Sequence, residues 1–207
     1  GLLGVIAASI VAIYQTNVKR LFAYSSVSQI GYMILGIGVG SKTGLTATML
    51  HLFNHALMKS AIFLALAGVV YRVGSVNIKA FAGLGRQMPW TMAAIVVGGL
   101  SLIGVPLTVG FVSKWYLVLA LLESNMWPVA VLVLVGSLLA IAYIWRIVEV
   151  AYFKPALQNN QAYKEAPLAI LIPAWIFVIA NIYFGIDTSF TAGVSEKTAE
   201  LLFGGVR

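Results

Sequence analysis

PWTMAAIVVGGLSLIGVPLTVGFVSKWYLVLALLE, residues 89–123, is the stretch on which the fold turns. As one α-helix it would run roughly 52 Å at about 1.5 Å per residue, against about 30 Å of bilayer hydrocarbon. Its middle reads Gly104-Val105-Pro106-Leu107-Thr108-Val109-Gly110. Pro106 has no N–H to donate and clashes with the preceding turn, and Gly104 and Gly110 relax the backbone on either side. The reading is a discontinuous helix, of the kind that lines polar paths in transporters. The plainer alternative is a proline kink with no function.

Outward from this stretch, the chain divides into six apolar segments: Gly1–Gln15, Leu21–Gly40, Thr43–Tyr71, Pro89–Glu123, Pro128–Phe153 and Pro167–Ile186. No ten-residue alternating pattern appears, and only helices or closed barrels satisfy the backbone in hydrocarbon, so all six are expected to be helical. Composition agrees. Hydrophobic residues make up 61% of the 207 and charged residues 9%, and mean hydropathy is +0.97; a soluble chain has roughly 45–50% and about 25%. A chain of this size cannot hide that much apolar surface in its own core. The expected fold is all-α, a polytopic membrane helix bundle of about six transmembrane helices with one discontinuous helix. Residues 1–186 form the membrane domain and 187–207 a short tail, in which Glu196 to Phe203 suggest one or two amphipathic turns. The opening GLLGVIAASIVAIYQ is short for a span and has no preceding Met, which reads as the C-terminal portion of a longer protein.

Charge sets the expected orientation. If each segment crosses once, one side receives Lys19, Arg20, Arg72, Lys79, Arg86, Lys154 and Lys164, and the other Lys42, Lys197 and Arg207. Short basic loops face the cytoplasm, which places both chain ends outside. The net charge of +7 therefore reads as orientation, with no nucleic-acid partner. Cys is absent, which removes thiolate metal sites, iron–sulfur ligation and cysteine nucleophiles; six acidic residues are too few for a carboxylate-built metal site. Arg146 and Glu149, three apart on the fifth span, are expected to pair.

Polar groups at membrane depth are functional candidates by default, since each charge costs about 2.5–3.5 kcal/mol at the centre of a span. The third span carries His51, Asn54, His55 and Lys59. Steps of four residues advance about 40° round a helix, so His51, His55 and Lys59 share one stripe and climb it by about 6 Å per step. Imidazole titrates near neutral pH, so the ladder reads as a proton relay with water between its members. Two alternatives stay open: a His pair for a metal, although no third ligand is evident, and helix-to-helix hydrogen bonding with no transport role. Lys114 follows the break, where freed carbonyls can hold a cation; the alternative is an interfacial anchor. In the second span Tyr24, Ser25, Ser26, Ser28 and Gln29 form a polar patch that either hydrates an inlet or packs helices.

These residues also carry a family likeness. The run Asn17 to Met33, NVKRLFAYSSVSQIGYM, resembles the signature loop and helix of antiporter-like proton-translocating subunits, found in respiratory complex I, membrane-bound hydrogenases and Mrp-type Na⁺/H⁺ antiporters. His51 to Lys59, HLFNHALMK, resembles that family's central histidine helix, and Gly104 to Lys114, GVPLTVGFVSK, its second broken helix and terminal lysine. GFVSKWYLVL and the approach to the last span, Lys164 to Leu168, look most like the D subunit of Mrp-type antiporters. The resemblance implies a family fold of fourteen spans in two inverted five-helix repeats, with this chain as spans nine to fourteen. It implies that His51, His55 and Lys59 are relay members and that Lys114 communicates with the outer side. Tyr24, Ser26, Ser28 and Asn54 are the supporting candidates. It further implies protons and Na⁺ as the ions and other membrane subunits as partners. The sequence carries no cofactor motif, so no redox cofactor is expected, nor catalysis by this chain alone. Without the first repeat the fragment is not expected to pump by itself. Rival readings are a structural subunit whose polar residues only join helices, and an intramembrane enzyme using His51 or His55 as base.

Overall fold

The computed structural model describes residues 1–156 and 162–204; Arg207 and its two predecessors, the end of the 187–207 tail, lie outside the described residues. The chain folds into α1 (Leu2–Tyr14), α2 (Val18–Gly38), α3 (Lys42–Val73), the short α4 (Leu84–Gln87), α5 (Pro89–Ile103), α6 (Val109–Glu123), α7 (Trp127–Val148), α8 (Leu168–Ile186) and α9 (Ser189–Gly204). No strand occurs among the described residues. The expected first, second, third, fifth and sixth segments are α1, α2, α3, α7 and α8. The long fourth segment is two helices, α5 and α6, with residues 104–108 between them. It is a multi-pass membrane bundle. Helices α2, α3, α8 and α7 with its π-turn extension to Phe153 are long and apolar enough to cross a bilayer.

Local chemistry sets the boundaries. Asn17 and Ser41 cap α2 and α3, their side chains accepting from the Arg20 and Gly44 amides. Helix α3 ends at Gly74, whose φ of 72° closes a left-handed cap. Pro89 opens α5 but brings no capping side chain with it. Glu165, from the loop before α8, supplies the cap instead. Its carboxylate accepts from the Trp90 amide (3.0 Å), the Thr91 amide (3.3 Å) and the Thr91 hydroxyl. The tail helix starts earlier than the amphipathic pattern suggested, because Asp187 caps it: Oδ1 accepts from the Ser189 amide and hydroxyl. These bonds hold the Asp187 carboxyl below the ordinary value of 3.8.

Helix α3 is the hub, packed against α2, α5, α6, α8 and α9. Contacts between loops define two faces. On one, the Val18 and Ile78 amides bond Val76 and Thr16 carbonyls (both 2.8 Å), Arg146 donates to the Gln15 carbonyl (3.1 Å), and the Tyr163 amide bonds Gln87 (2.8 Å). On the other, Lys42 meets Glu200 (2.5 Å) and Tyr116 meets Glu196 (3.4 Å). The seven loop basic residues named above belong to the first face, and Lys42 and Lys197 to the second. Arg146 does not pair with Glu149. Helix α7 gives way at Glu149 to a π-turn, Glu149–Phe153, which turns that carboxylate toward Lys154 (3.5 Å) and leaves the guanidinium to the end of α1.

Candidate functional site

The broken helix builds one half of the site. In a continuous helix the Leu102 carbonyl would accept from the amide of residue 106, which is a proline and has none. Gly104 then turns left-handed at φ 92° and Leu107 at φ 72°, so the Ile103 carbonyl is also released. Both freed oxygens are taken by Lys114, whose Nζ lies 2.7 Å from Leu102 O and 2.9 Å from Ile103 O. The negative end of the α5 dipole favours a cation at this spot. A side chain on Gly104 would meet the lysine stem, with Cδ 3.1 Å from the added carbon, and one on Gly110 would run into the Ser101 carbonyl. Both glycines serve close approach.

The other half stands on α2 and α3. His51 is 3% exposed, with Nδ1 2.8 Å from Ser113 Oγ and Nε2 3.1 Å from Gln29 Oε1. With Gln29 Oε1 as acceptor, Nε2 carries the proton and Nδ1 accepts from the serine hydroxyl. One turn on, the His55 ring lies parallel to His51, centroids 6.4 Å apart, and its Nε2 is buried without a protein partner. Lys59 reaches α2, donating to Phe22 O (2.8 Å) and Ser25 Oγ (2.5 Å) between the rings of Phe22 and Phe63. Tyr32 closes the gap between His51 and Lys114, edge-on to His51 at 5.8 Å with Lys114 Nζ 4.9 Å from its ring centre. Lys59 and Lys114 are each 7% exposed, too deep to reach water with their own stems. Among the described residues neither has a carboxylate partner; the ion pairs found are Lys42–Glu200 and Lys154–Glu149.

His51, His55, Lys59 and Lys114 therefore share one interior. The α2 patch does not converge on them as a unit. Tyr24 is 39% exposed and points away. Ser28 faces α1, bonding Ser9 Oγ (2.9 Å) and Val5 O (3.1 Å), and Ser26 bonds the Phe22 carbonyl of its own helix (3.2 Å). At about 100° per residue, residues 24–28 circle the whole helix, and only the i, i+4 pair Ser25 and Gln29 faces α3. Asn54 holds the site together, its Nδ2 donating to Val109 O (2.7 Å) at the start of α6. Ser113 and Tyr32 were not singled out by sequence reasoning. The usable signal was that Ser113 precedes Lys114 and that Tyr32 lies one turn beyond Gln29.

With this geometry in hand, comparison with known proteins gives a consistent picture. The family described as NADH:quinone oxidoreductase/Mrp antiporter, transmembrane, matches residues 1–140. NADH-quinone oxidoreductase subunit N of Desulforudis audaxviator is 37% identical over 195 residues, 88% of this chain and 39% of that protein. F(420)H(2) dehydrogenase subunit L of Methanosarcina mazei is 33% identical over 192 residues, 86% of this chain and 28% of that protein. Among solved structures, the Mrp complex from a Dietzia species superposes with a TM-score of 0.89 at 21% identity, covering 96% of this chain and 45% of that one. The archaeal membrane-bound sulfane sulfur reductase superposes with a TM-score of 0.84 at 36% identity, covering 89% and 31%. The chain thus spans about two-fifths or less of the length of these curated relatives.

Proposed function

The chain belongs to the NADH:quinone oxidoreductase/Mrp antiporter transmembrane family, and from that premise we propose that it carries protons across the membrane through a buried Lys/His path. The proton moves between Lys59 and Lys114 by way of His55, His51 and intervening water. Ser113 and Gln29 set the His51 tautomer. The observation that carries this reading is a pair of buried ammonium groups bonded only to neutral oxygens, with a doubly hydrogen-bonded imidazole between them. The chain works as one part of a multisubunit membrane complex, in a bacterial plasma (inner) membrane, with the basic face inward and both ends of this chain outward.

Two settings use the same path. In a cation/proton antiporter the proton flux drives Na⁺ efflux; in a redox complex electron transfer elsewhere drives the protons. The redox setting is favoured by the identities of 37% and 36% to proteins named for oxidoreductase and reductase complexes. The 21% likeness to an Mrp complex speaks to the fold alone.

The test is proton and sodium flux in everted vesicles carrying the complete complex, wild type against Lys114→Ala, with assembly measured in parallel. Flux is expected to collapse while the complex still assembles. Unchanged flux would sink the path and leave a structural subunit as the better reading.

A further inference from the structure

Helix α8 buries one stripe, Leu171, Ala174, Val178 and Asn181. Three of these are apolar. The fourth is an amide with no exposed surface, and neither its Nδ2 nor its Oδ1 has a hydrogen-bond partner among the described residues. An apolar stripe would pack as well or better, since an amide buried unpaired costs about 1–3 kcal/mol.

The position of this amide is fixed by its neighbours. Phe184 meets Phe53 edge-on, centroids 5.5 Å apart, and Gly68 closes on Ala166 and Ile170, so α8 runs antiparallel to α3 in a defined register. Gly185, one turn beyond Asn181, lies against the helix break: a carbon added to it would be 2.6 Å from both Leu107 O and the Thr108 backbone. This register brings Asn181 to the level of Asn54, beside the break. Asn54 is 1% exposed and only half satisfied: Nδ2 bonds Val109 O (2.7 Å), while Oδ1 has no partner. Two incomplete amides on adjacent helices thus face the same end of α6.

We propose that Asn54 and Asn181 bind internal water between α3, α8 and the break. A buried water typically makes about two to four hydrogen bonds, and the unpaired groups that offer them are Asn54 Oδ1 and the Nδ2 and Oδ1 of Asn181. Asn54 is turned about 60° round α3 from His51, so this water lies off the histidine line and reaches the break from the α8 side. Its consequence for transport rests on the ion path proposed above: it makes α8 a source of hydration for Lys114 and its cradle. The water site itself does not depend on that reading.

The experiment uses the complete complex, with thermal midpoint and vesicle proton flux measured on Asn181→Leu, Asn181→Ala and Lys114→Ala. Leucine keeps the branched skeleton, fills the water's space with its larger methyls and offers it no hydrogen bond; alanine leaves room for it. Asn181→Leu is expected to cut flux about tenfold with an unchanged or lowered midpoint, and Asn181→Ala to restore most of the flux. A midpoint raised by Asn181→Leu overturns the water site, because a dry orphan amide is relieved by an apolar isostere. Wild-type flux in Asn181→Leu, or equal loss in the alanine variant, overturns its part in transport. If Lys114→Ala leaves flux intact, the ion path has failed, and the midpoint of Asn181→Leu still decides the water site on its own.

Discussion

Replacing Pro106 by alanine separates a break built to hold Lys114 from a break that merely bends a helix. The Leu102 carbonyl is available to Nζ, at 2.7 Å, because its i+4 residue has no N–H. Alanine returns that donor. A backbone hydrogen bond formed there adds about 0.5–1.5 kcal/mol to folding, and a helix interior relieved of proline gains up to about 3 kcal/mol. The left-handed residues Gly104 and Leu107 oppose full continuation of the helix, so the gain is expected near the lower figure. Lys114 meanwhile loses one of its two carbonyls. A hydrogen bond to a charged group is worth about 1.5–3 kcal/mol, a weakening of the cation's hold by about 10–100-fold.

The two effects have opposite signs, and that makes the test sharp. Pro106→Ala is expected to leave the thermal midpoint unchanged or raised while vesicle proton flux falls about tenfold, the lower end of that range. The control is Leu107→Gly, which relieves a φ of 72° without adding a donor at 106; its flux should stay near wild type. A stabilised Pro106→Ala complex transporting at the full rate would refute the reasoning, because the Leu102 carbonyl would then be dispensable to Lys114.

Two further outcomes follow from loop chemistry. Glu165→Ala should lower the thermal midpoint, since α5 loses the carboxylate at its first turn, a cap worth about 1–2 kcal/mol; an unchanged midpoint would mean that water replaces it at no cost. The Lys42 ammonium, first by hydrogen bond and then by charge, holds the exposed Glu200 carboxyl below the ordinary 4.5. A depressed carboxyl contributes above its unfolded value and loses the contribution as pH falls through the folded one. The anchoring of α9 should therefore be whole at pH above 4.5 and loosen in stronger acid. Protection factors of α9 amides measure it, and Lys42→Met should show the loosened state already at neutral pH. Equal protection in that variant would remove the ion pair from the account of the tail.

Hydropathy and spacing carried most of the fold because lipid leaves the backbone few choices. Pro106 between two glycines, in a segment too long to be one span, was enough to read α5 and α6 as separate helices. The i, i+4 rule likewise put His51, His55 and Lys59 on one stripe. What stayed illegible was set by partners distant in sequence. Glu165 caps a helix that begins 76 residues earlier, at Pro89, and the polar residues of α2 read alike. Tyr24, Ser26 and Ser28 are as polar as Ser25 and Gln29, and only the position of α3 distinguishes them. Arg146 and Glu149 had the right spacing for an α-helix, but the π-turn that begins at Glu149 removed the premise.

Neutral oxygens, rather than carboxylates, hold the two lysines. A buried ammonium paired with Asp or Glu leaves an uncompensated buried anion behind when its proton departs, a state that costs several kcal/mol. Lys114 has two acceptors, Leu102 O and Ile103 O. A neutral amine keeps two N–H donors, one for each oxygen, so loss of the proton need break neither bond. Lys59, with Phe22 O and Ser25 Oγ, is arranged in the same way. On the proposed path, neutral cradles would hold both states of the lysine with one geometry, without the reorganisation that a carboxylate partner would impose at each transfer. On that path the coupling would act from a distance: a charge on Lys59 or on His51 would be felt at Lys114 through an interior that screens it poorly. This requires that the lysines be few, deep and without local counter-ions. Among the described residues of this chain, all three conditions are met.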